Sequence, residues 1–191
     1  MDYNIQEHRH RFAVWTAARA VQGIPYGSIA KDYVKRAIAA SDLPELVRSP
    51  NKWPTKAADV DKLHEKWVDQ ILTQLEADGV FNARRVGKEQ SYGLAAKIVA
   101  IYLKTCLLMC PHDPHAFLSL IHPPIDSILL LELSKREELS KHRSHWLATN
   151  WTQLTKEEYL ELIASFREAG LDRPSFWSIE RYWQPSGDSD T

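Results

Sequence analysis

The chain has 191 residues, of which 44% are hydrophobic, so it is long enough for one domain with a buried core or two small lobes sharing a cleft. Its formal net charge at pH 7 is −1, which excludes a general electrostatic attraction of the whole molecule to nucleic acid. Any DNA binding must therefore use a local basic face.

The cysteine count and the N-terminal sequence indicate the cellular compartment in which the protein is expected. The sequence has two cysteines, Cys106 and Cys110, which are too few for a disulfide framework or a four-cysteine cluster. No apolar signal region begins the chain. We therefore expect a soluble protein of the cytoplasm.

The first half of the chain predicts helices separated by prolines. Residues 9–21 carry Phe12, Trp15, Ala18 or Arg19, and Ala20 at helical intervals, which predicts an amphipathic helix. A second helix is predicted over about 28–40, and a proline-punctuated connection over 44–54. A strong 3.6-residue pattern then predicts a helix over 58–79, with Gly79 as its C-terminal stop.

The second half is also helical in pattern. A turn or hairpin is predicted over 80–93, followed by an apolar helix to about residue 109. One short helical turn is expected at 116–120, and Asp126 is expected to open a helix that runs to about 140. Thr155 with Glu158 forms a capping-box signature. The last predicted elements are an aromatic helix over 174–183 and a disordered polar tail over 185–191.

Two residues stand out chemically. Lys97 lies inside the apolar run, where a charged amine loses hydration, so we expect a neutral, nucleophilic fraction of the amine near pH 7. Asp126 follows two prolines at a helix start, and its carboxylate can stabilise a developing cation or move a proton. Without further information, Lys97 can also be a lysine that reaches water from the core edge, and Asp126 can serve only as a helix cap.

The order of these residues resembles the catalytic core of helix-hairpin-helix DNA glycosylases of the 8-oxoguanine type. In that family a glycine-bearing hairpin leads into a helix whose early lysine is the nucleophile, and a Pro-x-Asp motif supplies the catalytic aspartate. Gly93 to Lys97 and Pro124-Ile125-Asp126 match that order. The interval of 29 residues is similar to that of the archaeal enzymes. Ala95 stands where a second hairpin glycine is often found.

The resemblance implies an all-α, glycosylase-like helical domain over residues 1–184. It implies a DNA repair enzyme that flips an oxidised purine such as 8-oxoguanine out of DNA and excises it through a Schiff base on Lys97, with Asp126 as the second catalytic residue. Neither a metal nor an organic cofactor is required. The cysteine count excludes the iron–sulfur subtype of the family. The implied partner is damaged DNA at the nucleoid, with no membrane association, and the oligomeric state stays open.

Candidate DNA contacts lie around the proposed hairpin and its helix. Basic residues near it suggest a local phosphate-binding face, although such a cluster can equally be a solvated surface. Lys104 lies seven residues after Lys97 on the same helical face, and His122 is a candidate to contact phosphate or orient Asp126. The predicted DNA-binding residues are Arg84, Arg85, Lys88, Gly93, Lys104 and His122.

The sequence also bears on metal binding and on a rival function. His112, Asp113, His115 and His122 match no strong ligand spacing, so no metal site is predicted. The rival function is a non-catalytic, glycosylase-shaped nucleic-acid or nucleotide-binding module of a bacterial defence or regulatory system. The near-neutral charge and Ala95 favour this rival. Aromatic candidates for a base pocket are Trp53, Trp146, Phe176, Trp177 and Trp183.

Overall fold

A computed structural model describes residues 3–21, 29–82, 87–109 and 115–184. These residues form α-helices, 3₁₀ turns and one π turn, and no strand occurs among them. The prediction of a mainly α fold is therefore confirmed. The buried side chains of these elements form one hydrophobic cluster that runs from the first helix to the last 3₁₀ segment.

Four α-helices lie within the described residues 3–21 and 29–82. They are α1 (Ile5–Ala20), α2 (Lys31–Ala40), α3 (Leu43–Arg48) and α4 (Ala57–Ala77). The proline-rich connection expected over 44–54 was wrong in its first half, because Pro44 occupies the first turn of α3, where its missing N–H leaves no helical bond unmade. Gly79 has φ 72° after α4, which confirms it as the stop.

The buried face of α1 differs from the expected one. Its core side chains are small, namely Ala13, Val14, Ala17 and Ala18, and they let α1 pack closely on the central helix. Phe12 and Trp15 are 52% and 46% exposed and stack on each other with ring centroids 5.7 Å apart. Helical spacing located the helix correctly and included the buried Ala18, but it also placed the exposed Phe12 and Trp15 on the apolar face.

The central helix, α5, spans Tyr92–Leu103 and continues as one π turn over Lys104–Leu108. Almost all of its side chains are buried, because α1, α4 and the segment near Trp151 surround it. The segment Glu89–Leu108 is long and apolar enough to cross a membrane, but most of it is buried inside the protein. A helix at the centre of a protein core has the same apolar composition, because apolar neighbours surround its side chains on every face.

The C-terminal part wraps around α5. It contains α6 (Ala116–Leu120), α7 (Ser127–Ser134), α8 (Arg143–Ala148) and α9 (Lys156–Glu168), together with 3₁₀ segments at Glu137–His142, Trp151–Gln153 and Phe176–Tyr182. The short turn at 116–120 and the Thr155–Glu158 capping box are confirmed.

Two C-terminal expectations are corrected. The helix opened by Asp126 ends at Ser134, before the expected residue 140, because the Ser134 hydroxyl bonds the carbonyl of Leu131 and Arg143 Nε donates to the Ser134 carbonyl. The aromatic segment forms a 3₁₀ helix. The predicted tail at 185–191 lies outside the described residues.

Candidate active site

Lys97 and Asp126 meet at the edge of the core. Lys97 Nζ donates to Asp126 Oδ2 at 3.0 Å, and Lys97 is only 8% exposed. Asp126 is the N-cap of α7, since its Oδ1 accepts from the Leu129 N–H at 3.0 Å. The cap fixes the carboxylate, and the second turn of α5 carries the amine to it.

Gly93 determines how closely α5 approaches the Trp151 segment. A Cβ at Gly93 would lie 2.3 Å from the carbonyl oxygen of Trp151, which is closer than atoms can pack. The Tyr92 and Gly93 N–H groups donate to the carbonyl of Leu154 at 3.0 and 3.4 Å. Gly93 is therefore a buried helical residue whose N–H is already used. We expected Gly93 to be a hairpin glycine that approaches a DNA phosphate. That expectation is corrected, because Gly93 instead allows the Trp151 segment to pack closely against α5.

Two tryptophans complete the surroundings of the pair. The Lys97 ammonium lies 4.3 Å from the centroid of the Trp151 ring, which stabilises the charged form. Trp183 Nε1 lies 3.2 and 3.1 Å from the two oxygens of Asp126. The carboxylate thus receives an ammonium, a backbone N–H and an indole N–H, so in this resting arrangement both ions are well satisfied.

A second ion pair lies beside the first. Lys104 Nζ lies 2.5 Å from Glu180 Oε2 and 5.4 Å from the Trp177 ring centroid. Burial raises the pKa of Glu180, while the hydrogen bond from Lys104 acts in the opposite direction. The other oxygen, Glu180 Oε1, is buried and has no hydrogen-bond partner. An acceptor without a donor beside a charged amine is suited to a ligand that supplies an N–H.

Both pairs line one cavity of about 230 Å³. Its apolar walls come from Ala20, Ile101 and Pro124, and Trp183 lies at its edge. The expectation that Lys97 and Lys104 share a helical face is confirmed. A larger groove of about 590 Å³ lies along α4, but exposed charged and amide side chains line it and no catalytic constellation is present there.

The structure does not bring the other predicted DNA-contacting residues that it describes together at this cavity. His122 is 1% exposed, and its nitrogens lie 2.8 Å from Asp61 Oδ1 and 3.2 Å from the Tyr159 hydroxyl. It is thus a core residue, and the expected phosphate contact is corrected. Lys88 pairs with Glu76 at 2.7 Å on the surface. Arg84 and Arg85 lie outside the described residues.

Metal ligation finds no support in the described part of the chain, where no cluster of three histidine, cysteine or acidic side chains is assembled. His115 caps α6 by accepting from the Phe117 N–H. Cys106 is buried next to Tyr102. Cys110, His112 and Asp113 lie outside the described residues.

Trp151 and Glu180 are site residues that sequence reasoning missed. Glu180 had a usable signal, because Trp177, Glu180 and Trp183 recur every third residue, which is the period of a 3₁₀ helix. That spacing puts them on one face, towards Lys104 and Asp126. Trp151 had no such signal, since its position depends on a contact with Gly93 across 58 residues of chain. Of the suggested pocket aromatics, Trp53, Trp146 and Phe176 are core residues.

Comparison with family models, with curated proteins and with solved structures finds no match to this chain.

Proposed function

We propose that this chain is a bifunctional DNA glycosylase and AP lyase that excises an oxidised purine. The observation that carries the proposal is the Lys97–Asp126 contact of 3.0 Å at the wall of a small cavity. An amine nucleophile beside a carboxylate is the minimal machinery for Schiff-base chemistry on a sugar. The resemblance of Gly93 to Lys97 and of Pro124 to Asp126 to the glycosylase core supports the same assignment.

The mechanism begins with loss of a proton from the Lys97 ammonium, with Asp126 as the nearest acceptor. The free amine attacks C1′ of the sugar, the C1′–N bond breaks, and the base leaves with the bonding electrons and takes up a proton. Asp126 passes the proton taken from Lys97 to the departing base, so its carboxylate is ionised again as positive charge develops on the sugar and stabilises that charge. Ring opening then breaks the C1′–O4′ bond, O4′ takes up a proton from the attached nitrogen, and a protonated imine forms between Lys97 and C1′. The C2′ proton passes to the nearby Asp126 carboxylate, and β-elimination expels the 3′ phosphate with the electrons of the C–O bond.

The second pair supplies base recognition in this proposal. Guanine N7 is a hydrogen-bond acceptor, and oxidation at C8 converts N7 into an N–H donor. The unpartnered Glu180 Oε1 can accept such a proton, while Lys104 donates to a carbonyl oxygen. The cavity of about 230 Å³ is smaller than the sites that hold drug-sized ligands, which suits a single nucleobase.

One observation favours the rival, a glycosylase-shaped binding module without catalysis. Lys97 Nζ contacts both Asp126 and the Trp151 ring, and the Trp183 indole N–H donates to the same carboxylate. For Lys97 to react from this state, a substrate must displace Trp183 from the Asp126 carboxylate. If none does so, the site binds without reacting.

The experiment is a base-release assay on duplex and single-stranded oligonucleotides that carry one lesion each: 8-oxoguanine, a formamidopyrimidine, uracil or an abasic site. We expect release from the oxidised purines and strand cleavage at the abasic site. Release of uracil alone would contradict the assigned substrate class. Binding of the lesion strands with no release from any of them would favour the binding module.

A further inference from the structure

The C-terminal segment carries an arrangement that the proposed chemistry does not use. Two arginines contact the ring of Tyr182, with Arg136 Cζ at 5.3 Å and Arg181 Cζ at 4.9 Å from its centroid. Arg181 Nη2 also donates to the Tyr182 hydroxyl at 3.1 Å. We call Arg136, Tyr182 and Arg181 the arginine clamp.

Neither guanidinium of the arginine clamp pairs with a carboxylate within the described part of the chain, whereas Lys135, Lys141, Arg143 and Arg173 each do. Arg136 Nε is buried and has no hydrogen-bond partner. A buried donor without an acceptor is costly to a folded protein. The missing acceptor is therefore expected to come from a ligand.

The position of the arginine clamp indicates which ligand. Tyr182 precedes Trp183, which contacts Asp126. Arg136 follows the C-terminus of α7, the eight-residue helix that Asp126 caps. A helix of this length spans about 12 Å, which corresponds to about three nucleotides along one strand of duplex DNA.

We propose that the arginine clamp binds a backbone phosphate of the DNA strand whose nucleotide enters the Lys97–Asp126 cavity. Arginine presents a planar fork that matches two phosphate oxygens, and the tyrosine ring holds both forks in place before the strand arrives. This contact takes over the role that the sequence assigned to a glycine hairpin, since Gly93 is buried against Trp151. The inference rests on the proposed function for the nucleic-acid ligand, but not on catalysis.

The test measures binding of undamaged, fluorescein-labelled DNA by anisotropy over a series of salt concentrations. Arg181→Gln is the primary variant, because Arg181 is exposed and its loss leaves the core intact; Arg136→Gln is the second. Each should weaken binding about tenfold at low salt. Each should also reduce the slope of log K against log salt by about 0.7 to 0.9, the value for one lost phosphate contact.

Arg48→Gln is the matched control, since Arg48 is an exposed arginine on α3. Its binding curve should shift only slightly. If Arg181→Gln keeps the wild-type affinity and salt slope, or shifts no more than Arg48→Gln, the inference is overturned. Wild-type protein that does not bind DNA at low salt overturns it as well. Clamp-dependent binding together with failure of every base-release assay would retain the phosphate site and remove the proposed catalysis.

Discussion

Lys97 Nζ and Asp126 Oδ2 lie 3.0 Å apart although 29 residues separate them in the chain. The contact joins the second turn of α5 to the N-cap of α7, so it depends on how the two helices pack. Both side chains are largely buried, and a buried ion pair of this kind gives little net stability compared with apolar packing. The pair is better explained by chemistry than by stability.

Gly93→Ala tests the close approach that builds the site. The new methyl would meet the Trp151 carbonyl at 2.3 Å, so the Trp151 segment must move away from α5. We expect a loss of about 1 to 3 kcal/mol in the free energy of unfolding, measured by chemical denaturation, together with loss of activity.

Gly87→Ala is the control for this change, because a Cβ at Gly87 meets nothing within 4 Å. It should leave both stability and activity close to wild type. Equal stability of the two variants would mean that Gly93 does not set the helix spacing.

Asp126→Asn separates charge from capping. Asparagine keeps the side-chain oxygen that accepts from the Leu129 N–H but loses the negative charge that stabilises the sugar cation. We expect base release to slow about a hundredfold or more, with DNA affinity little changed, in single-turnover kinetics and anisotropy. An unchanged rate would assign the proton chemistry to another group.

The buried histidines predict a pH-dependent stability. Burial lowers the pKa of His64 well below 6.5 and also lowers that of His122, against an opposing hydrogen bond from Asp61. Burial alone would raise the pKa of Asp61, but its bonds to His122 and Arg167 outweigh burial, and this pKa lies far below its usual range. Asp61 thus stays ionised in mildly acidic solution. Its own titration therefore does not contribute to the pH dependence of the free energy of unfolding in the range where the histidines titrate.

The unfolded chain binds protons on both histidines as the pH falls below about 6.5, whereas the folded chain binds them only at lower pH, and the pKa of His64 is lowered well below that value. The free energy of unfolding should therefore be highest above that pH and fall by about 1 kcal/mol per pH unit for each histidine below it. His64→Phe keeps the ring that stacks on Tyr159 and should reduce this slope in thermal or chemical unfolding. A slope identical in both proteins would contradict a neutral His64.

Much of the helical layout could be predicted from local signals. The Gly79 stop, the Thr155 cap and the Asp126 cap each depend on residues within one turn, and the structure has all three. The exposure of Phe12 and Trp15 could not be predicted from their spacing, because small residues elsewhere on α1 allow closer packing than two large aromatics do.

The candidate site likewise has one part that local sequence predicts and another that depends on tertiary contacts. The spacing of Gly93, Lys97 and Asp126 selected the two reactive groups, whereas their surroundings depend on contacts between distant segments. Trp151 and Glu180 reach Lys97 and Lys104 only after the C-terminal part has packed on α5. His122 was misassigned for a related reason, since its burial depends on Asp61 and Tyr159 from other helices.

Borohydride trapping on DNA that carries 8-oxoguanine tests the central claim most directly. The wild-type protein and Lys104→Gln should both give a covalent protein–DNA product, although Lys104→Gln gives less of it. Lys97→Gln should give none while keeping its fold and its affinity for undamaged DNA, because an amide cannot form a Schiff base. Trapping that survives Lys97→Gln and disappears in Lys104→Gln would place the nucleophile at Lys104 and contradict the account.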